Sequence, residues 1–303
     1  MTGPGGRDPR GTVHSLRATG DHPRAGHPAS HPYPSHGEMH PAYLPKDEVR
    51  EMEAIGVLVH GVAGRMGKEV LAALCREPGL EPTCGVDTSI TGDQLPLPDG
   101  SGHIPVSTDL EGIIARCRPQ VMVDFTNADA SMRACRLAAP HGVNLVVGTT
   151  GLSEANLKEL DTLAREHHIG ALVAPNFALG AVLLARLVRG LGRFFDYAEI
   201  IEMHHEGKID SPSGTAIGLA KSLQEGREAP FTRPSPEREP IQGTRGGELE
   251  GVSIHSVRMP GLMAHHEVIL GTQGQTLILR HDTIGRECYM PGVITAIKEV
   301  VKF

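Results

Sequence analysis

Residues 54–67 read AIGVLVHGVAGRMG and join a short apolar run to a glycine-rich turn. The run at 54–60 has the composition of a buried strand, and residues 65–75 are predicted to form the helix that follows. Glycines lack a Cβ, so at such a junction the N–H groups of the helix N-terminus can approach a pyrophosphate, whose charge the helix dipole also favours. The stretch predicts a nucleotide-binding turn. A purely structural turn stays open as an alternative, because Val62 breaks the strict G-x-G-x-x-G pattern.

The second strand-like run, at 80–87, ends in an acidic residue at the spacing expected of a dinucleotide site. A carboxylate about 20 residues after the glycine turn holds the ribose hydroxyls of NAD, and Asp87 occupies that place. Thr88 follows it, so no adjacent arginine is present to receive the 2′-phosphate of NADP, and the pattern favours NADH. A turn that merely ends the strand is the alternative for Asp87. The candidate cofactor-binding residues here are Gly61, Val62, Ala63, Gly64, Arg65, Met66, Gly67 and Asp87.

Strand-like and helical runs alternate along the first part of the chain. Further strands are predicted at 120–125 and 144–148, and helices with apolar residues at three- and four-residue spacing are predicted at 128–139, 154–167 and 179–194. Strands separated by helices are the βαβ pattern of a parallel, doubly wound sheet. The predicted fold class is therefore α/β, with an N-terminal Rossmann-type sheet.

Beyond about residue 196 the pattern changes. One clear helix is predicted at 215–224, next to a polar, proline-rich loop at about 226–247, and a last helix is predicted at 290–301. Few helices among many strands are typical of an α+β domain. The strand-like runs of this part lie at 199–205, 251–259, 265–271 and 275–281.

The first 50 residues are crowded with glycine, proline and histidine and show no apolar periodicity. Such a segment cannot bury a core, so residues 1–52 are predicted to be a disordered extension, with a metal-collecting histidine tail as the alternative. The rest is predicted to divide into a dinucleotide-binding domain at 53–177 and a second domain at 178–284. The C-terminal helix, within 285–303, is expected to return to the first domain.

Composition and charge exclude several classes of protein. The chain has 29 Lys and Arg against 36 Asp and Glu, a formal net charge of −7 and only 3% aromatic residues, which argues against a nucleic-acid partner. Its longest apolar runs fall short of the roughly 18 residues that span a bilayer, and no basic and then apolar leader begins it. We therefore expect a cytoplasmic protein with no membrane partner.

A metal centre is not expected from the cysteines and histidines. The five cysteines are scattered and contain no C-x-x-C pair. His204 and His205 are adjacent in a predicted strand and so point to opposite faces of it, which is poor geometry for one metal ion. The other adjacent histidine pairs lack the i, i+4 spacing of a metalloprotease helix.

The segment EMHHEGKIDSPSGTA, residues 202–216, holds the densest chemistry in the chain. It lies at a strand-to-helix junction, where Ser213, Gly214 and Thr215 offer hydroxyls and free N–H groups for an anion. Lys208 adds positive charge nearby, and His204 can exchange a proton near neutral pH. Taken singly, a packed strand histidine and a simple N-cap serine remain the alternatives.

With both motifs in view, the chain resembles the dihydrodipicolinate reductase family over about residues 54–303. Members carry G-x-x-G-R-M-G, which is matched at 61–67, and H-H-x-x-K-x-D-x-P-S-G-T-A, which is matched at 204–216. The second pattern is long and has few imitators. Shorter similar segments lie at 124–126, 148–151, 174–177 and 245–247.

The resemblance implies the reduction of 4-hydroxy-tetrahydrodipicolinate, a cyclic dicarboxylate, to tetrahydrodipicolinate by hydride from NADH or NADPH in diaminopimelate and lysine biosynthesis. It implies a second domain whose mixed sheet binds substrate and builds a homotetramer. His204 would be the proton donor or acceptor and Lys208 its cationic partner. The residues implied to bind substrate are His205, Ser213, Gly214 and Thr215, and those implied to lie around the nicotinamide are Gly148, Thr149, Thr150, Ala174, Pro175, Asn176 and Phe177.

Two other functions stay open from the sequence. Another two-domain NAD-dependent dehydrogenase of amino-acid metabolism would share the glycine turn and Asp87 but would not need residues 204–216. A non-catalytic cofactor-sensing module would keep the nucleotide half and could lose the proton donors. NADPH use is weakened rather than excluded, because Arg65 could reach a 2′-phosphate. Glu206 and Gly207, at the variable pair of the histidine motif, lower the local positive charge.

Overall fold

The computed structural model describes residues 54–303, so the predicted disordered extension at 1–52 lies outside the described residues. The first part is a seven-stranded sheet in the order β3-β4-β2-β1-β5-β6-β7. All neighbours in this sheet are parallel except β3 and β4. Its strands are β1 (Ile55–His60), β2 (Leu80–Val86), β3 (Gln94–Pro96), β4 (His103–Ser107), β5 (Val121–Asp124), β6 (Asn144–Val147) and β7 (Ala171–Val173).

Helices cover both faces of this sheet. They are α1 (Arg65–Arg76), α2 (Leu110–Cys117), α3 (Ala128–Ala138) and α4 (Glu154–His167). One apolar cluster joins α1 to one face, and a second joins α2, α3 and α4 to the other. Because β1 lies between the two clusters, Val57, Leu58 and Val59 are all buried, as expected of a parallel sheet covered on both sides. The prediction of a doubly wound, Rossmann-type sheet is confirmed.

The second part is a five-stranded mixed sheet in the order β12-β11-β8-β10-β9, in which only β8 and β10 run parallel. Helices α5 (Leu179–Leu191) and α6 (Gly214–Glu225) pack on one of its faces around Ile200. This confirms the predicted α+β mixed sheet. Its strands are β8 (Tyr197–His204), β9 (Gly247–Leu249), β10 (Val252–Arg258), β11 (Ala264–Thr272) and β12 (Gln275–Thr283).

The last helix, α7 (Met290–Val300), packs against the first sheet and α1. Val293, Ile297 and Val300 are fully buried in the same apolar cluster as β1. None of the helices within residues 54–303 is long and apolar enough to cross a membrane.

The structure differs from the sequence-based prediction mainly at short elements. The predicted helix at 179–194 ends at Leu191, and a 3-10 turn at Gly192–Phe194 continues it. Strand β9 lies at the end of the predicted loop at 226–247. The unpredicted elements β3, β4, β7 and α2 have three to eight residues, too few to show a clear period.

Candidate functional site

The glycine turn after β1 brings the start of α1 into direct contact with the backbone of the turn itself. Gly61 has a φ of 82°, a left-handed conformation that favours glycine, and its N–H donates to the carbonyl of Val86 at the end of β2 at 2.7 Å. A Cβ on Gly67 would lie 2.1 Å from the carbonyl oxygen of Gly61. Glycine is therefore required at both positions for the close approach of helix and turn.

Val62, the departure from the strict glycine pattern, is accommodated by a second close contact. Its side chain is fully buried, and a Cβ on Gly85 in β2 would lie 2.7 Å from its Cγ1 atom. Val62 therefore packs inward against β2 and leaves the outer surface of the turn open.

Asp87 accepts three hydrogen bonds, one of which ties it to the same turn. Its Oδ2 accepts from the N–H of Ala63 at 3.1 Å, and its Oδ1 accepts from the N–H and the hydroxyl of Ser89 at 2.9 and 2.7 Å. Burial alone would raise the pKa of Asp87, but the bonds from Ser89 and Ala63 hold that pKa below its usual value. A carboxylate has about four acceptor positions, so one is left for a further donor.

This half of the site fits a dinucleotide. The first turn of α1 carries no acidic side chain, and its first residue, the exposed Arg65, is a cation. An anion at the N-terminus of α1 would therefore meet free N–H groups and no acidic side chain of the helix's own first turn. Met66 is half-buried and packs against the apolar cluster below.

The two segments that the resemblance implies for the nicotinamide meet around one aromatic ring. A Cβ on Gly148 would lie 2.0 Å from Cε1 of Phe125, so the ring lies directly on the glycine. Phe177 packs edge-on against the same ring, with ring centroids 5.7 Å apart. Asn176 fixes the second segment, because its Oδ1 accepts from the N–H of Ala178 at 2.9 Å. Thr150 and Pro175 are exposed and Ala174 is half-buried.

A buried acid lies beneath these segments. The Asp124 carboxylate is fully buried and accepts from the Nδ1 of His60 at 2.6 Å and from the hydroxyls of Thr126 and Thr149 at 2.7 and 2.6 Å. Burial would raise the pKa of Asp124, but the bonds from His60 and Thr149 keep that pKa low. The acid therefore links the ends of β1, β5 and β6.

The second half of the site begins at the end of β8. Side chains at even positions of this strand point toward α5 and α6 and are buried, so Glu202 and His204 share one covered face. The Nδ1 of His204 lies 2.5 Å from the Oε2 of Glu202. Burial lowers the pKa of His204, although Glu202 opposes the shift, so the ring is neutral at pH 7.

Glu202 is completely buried and also pairs with Arg258 at the end of β10. The guanidinium donates from both terminal nitrogens to the two carboxylate oxygens, at 2.9 and 2.7 Å. The N–H of Ser213 donates to the Oε1 of Glu202 at 3.2 Å. Burial would raise the pKa of Glu202, but the guanidinium and His204 hold that pKa below its usual value.

Ser213 begins α6 and connects it to a second histidine. Its hydroxyl caps the helix by accepting from the N–H of Ala216 at 3.2 Å, and it lies 3.1 Å from the Nε2 of His266 in β11. The rings of His266 and His204 meet edge-on with centroids 5.3 Å apart. Burial lowers the pKa of His266 to about 4, so this ring is neutral as well.

The loop between β8 and α6 carries the remaining predicted residues. The ammonium of Lys208 donates to the Oδ1 of Asp210 at 2.6 Å, and no hydrogen bond within residues 54–303 joins it to His204. Gly214 and His205 are exposed and Thr215 is half-buried. His204 and Ser213 are thus joined through Glu202, whereas Lys208 and His205 lie toward solvent.

Several polar residues of the site were not predicted. Glu202 could have been found, because a residue two positions before His204 in a strand shares its face. Arg258 and His266 reach the site only through strand pairing across more than 50 residues, and no local pattern shows that. Within residues 54–303 no group of three or more His, Cys, Asp or Glu side chains is arranged to hold a metal ion.

Comparisons with known families cover nearly all of the described chain. The family described as "Dihydrodipicolinate reductase, N-terminus" matches residues 55–177. The family described as "Dihydrodipicolinate reductase, C-terminus" matches residues 180–302.

Individual relatives agree with this match. A protein of Dehalococcoides mccartyi named 4-hydroxy-tetrahydrodipicolinate reductase is 51% identical over 251 residues, which cover 83% of this chain and 95% of that protein. One of the same name from Moorella thermoacetica is 45% identical over 248 residues, covering 81% and 92%. The solved structure of a dipicolinate-bound dihydrodipicolinate reductase from Paenisporosarcina sp. covers 82% of this chain and 96% of its own, with a TM-score of 0.73 and 36% identity.

Proposed function

The chain belongs to the dihydrodipicolinate reductase family, and on that premise we propose how its two half-sites carry out the reaction. The protein is an NAD(P)-dependent oxidoreductase of diaminopimelate and lysine biosynthesis that reduces 4-hydroxy-tetrahydrodipicolinate to tetrahydrodipicolinate. The observation that carries this activity is the 51% identity, over 251 residues, to a reductase of that name. When bound, the reduced dinucleotide supplies the hydride.

Residues 61–67 and Asp87 would hold the adenosine and the pyrophosphate. The support is the α1 N-terminus, free of acidic side chains, together with the carboxylate that Ala63 and Ser89 fix beside it. The residues near Phe125 would bind the nicotinamide, since the Gly148 and Phe177 contacts form a rigid apolar surface there.

The substrate carboxylates would be bound by the start of α6 and by Lys208. Ser213 uses its own hydroxyl as the helix cap, so the N–H groups of Gly214 and Thr215 are left for an anion. Lys208 would turn from Asp210 to the substrate, a small change because the pair is partly exposed. His205 lies exposed beside this loop, where it can donate to the same anion.

His204 would exchange the proton that accompanies reduction. The ring lies at the end of β8 with only 7% of its surface exposed, and its Nδ1 is occupied by Glu202, so the exchange takes place at Nε2. General acid or base help of this kind is typically worth about 10² to 10⁴ in rate. Lys208 supplies the positive charge that keeps the dicarboxylate in place during the step.

We expect NADH to be preferred over NADPH. Asp87 keeps its negative charge and has one acceptor position left, which suits a ribose hydroxyl and repels a 2′-phosphate. The exposed Arg65 is the one nearby cation of the turn that could offset this repulsion, so the preference is partial.

The assembly and location of the protein are also proposals. A homotetramer built on the second sheet is supported by its edge strand β12, where Ile278 is 57% exposed and Leu277 is 36% exposed. The domain division at 53–177 and 178–284, with α7 returning to the first domain, is supported by the separate apolar clusters of the two sheets. We place the protein in the cytoplasm, with which its biosynthetic role is consistent.

A coupled assay tests the activity. The upstream synthase generates the substrate in the cuvette, and the loss of NADH and of NADPH is followed in parallel, with a reaction lacking the synthase as the control. We expect oxidation of both cofactors, with the larger kcat/KM for NADH. Oxidation of neither cofactor would refute the activity, and a preference for NADPH of about tenfold, or about 1.4 kcal/mol, would refute the role of Asp87.

A further inference from the structure

We infer that Glu202 is a positioning residue for His204: its buried carboxylate, paired with Arg258, fixes the imidazole with the proton on Nδ1 and leaves Nε2 to exchange protons with the substrate. The inference rests on the role of His204 proposed above. It concerns an acid that was not among the site residues predicted from the sequence.

The hydrogen bonds of Glu202 require an ionised carboxylate. Its Oε2 accepts from His204 and from one terminal nitrogen of Arg258, and its Oε1 accepts from the other terminal nitrogen and from the N–H of Ser213. Four donors fill about four acceptor positions. A protonated acid would present a fifth hydrogen to this arrangement, so the fully buried group is satisfied only as an anion.

The ionised carboxylate determines which tautomer His204 adopts. A neutral imidazole carries one proton, and the ring nitrogen facing an anion at 2.5 Å must be the one that carries it. The opposite tautomer would direct a lone pair at the carboxylate. Nε2 is then unprotonated in the resting site, so it accepts a proton first and donates only from the imidazolium form.

The same carboxylate connects the ring to the rest of the half-site. Ser213, which begins the anion-binding helix, donates its N–H to Glu202. Arg258 also donates to the carbonyl of Asp210, at 2.8 Å, and Asp210 holds Lys208. The ring and the helix start are therefore bonded to Glu202, and the lysine loop is bonded to Arg258, its partner in the ion pair.

Among the residues that the structure describes, four charged or titratable groups face His204. Glu202 stabilises the imidazolium, whereas Arg258 and Lys208 oppose it, and the neutral His266 ring packs edge-on from β11. Removing the carboxylate and removing the guanidinium must therefore shift the pKa of His204 in opposite directions. Disruption of packing alone would not produce that pair of opposite shifts.

The strand supplies a matched control. Glu199 also lies on β8 and also joins an arginine and a histidine, because its Oε1 accepts from Arg245 at 2.5 Å and its Oε2 lies 2.8 Å from the Nε2 of His255. It points to the opposite face from His204. Glu199→Gln removes the same charge from the same strand without touching the His204 ring.

The test measures kcat/KM against pH for the wild type, Glu202→Gln, Arg258→Gln and Glu199→Gln, with melting temperature as the check on folding. We expect the limb of the pH profile that reports the titration of His204 to move to lower pH by about 1 unit in Glu202→Gln and to higher pH in Arg258→Gln. This limb should stay at the wild-type pH in Glu199→Gln. Glu202→Asp, which keeps the charge, should keep the wild-type limb even if kcat falls. A Glu202→Gln enzyme with lower kcat and an unmoved limb would overturn the inference.

A neutron crystal structure of the wild-type protein gives a readout that needs no variant and no turnover. We expect deuterium on Nδ1 of His204 and none on Nε2 at neutral pH. Deuterium on Nε2 with a bare Nδ1 would overturn the inference even if the enzyme is active. A wild-type protein that lacks activity but shows the expected tautomer would instead refute the proposed function. The inference that Glu202 positions the His204 ring would still stand.

Discussion

Replacing Gly67 by alanine is expected to separate α1 from the nucleotide-binding turn. The added Cβ would lie 2.1 Å from the Gly61 oxygen, 2.7 Å from the Val62 Cα and 2.8 Å from the Gly61 carbonyl carbon, whereas real Cβ atoms essentially never come within 3.0 Å of another heavy atom. The three atoms belong to the backbone, so no side chain can rotate away. The helix must withdraw by about 1 Å, which corresponds to overpacking worth about 1–3 kcal/mol.

Two measurements on Gly67→Ala check this estimate. For a folded part of this size we expect the melting temperature to fall by about 2–12 °C, and the affinity for NADH to fall because the N–H groups of α1 no longer meet the pyrophosphate. Gly218→Ala in α6 is the control, because its Cβ meets nothing within 4 Å and alanine favours a helix by about 1 kcal/mol. A Gly67→Ala protein with wild-type melting and wild-type NADH affinity would refute the reasoning.

The remaining predictions concern charge and proton transfer. His204→Gln and Lys208→Ala should each lower kcat by about 10²-fold or more, while the NADH dissociation constant measured by titration stays unchanged. An equal loss of NADH binding would contradict the assignment of these two residues to the substrate. Asp87→Ala combined with Thr88→Arg should shift the ratio of kcat/KM toward NADPH by about 1–3 kcal/mol, and no shift would show that Asp87 does not select the cofactor. Burial lowers the pKa of His266 to about 4, below the 6.5 of an unperturbed histidine. The unfolded chain therefore binds more protons than the folded protein between about pH 4 and pH 6.5, and the free energy of unfolding falls as the pH is lowered through this range. Urea unfolding should show this loss, up to about 1.4 kcal/mol per pH unit, and His266→Gln should reduce it.

The nucleotide half was predictable because its signals are local. The strand, the glycine turn and the helix of residues 54–76 follow one another directly, and each has its own pattern of apolar residues and glycines. The inward packing of Val62 against Gly85 was not predictable, since it depends on the pairing of β1 with β2. Strand β3 was missed because three residues that include Pro96 resemble a loop.

The proposed substrate half was predicted from the sequence as a list of residues but not as a network. The histidine motif predicts His204 and the start of α6 as site residues, and this stays a prediction. The ion pair of Glu202 and Arg258 depends on the parallel pairing of β8 with β10, strands 56 residues apart at these positions. Sequence patterns with a period of two or of 3.6 give the face of an element, and they do not give its neighbours across a sheet.

A crystal structure of the protein with NADH and pyridine-2,6-dicarboxylate would test the proposed site most directly. We expect one carboxylate at about 3 Å from the N–H groups of Gly214 and Thr215, and Lys208 turned from Asp210 toward it. We also expect the Nε2 of His204 to face the ring of the ligand, with Nδ1 still on Glu202. A dicarboxylate bound away from the end of β8, with Lys208 still on Asp210, would contradict the account.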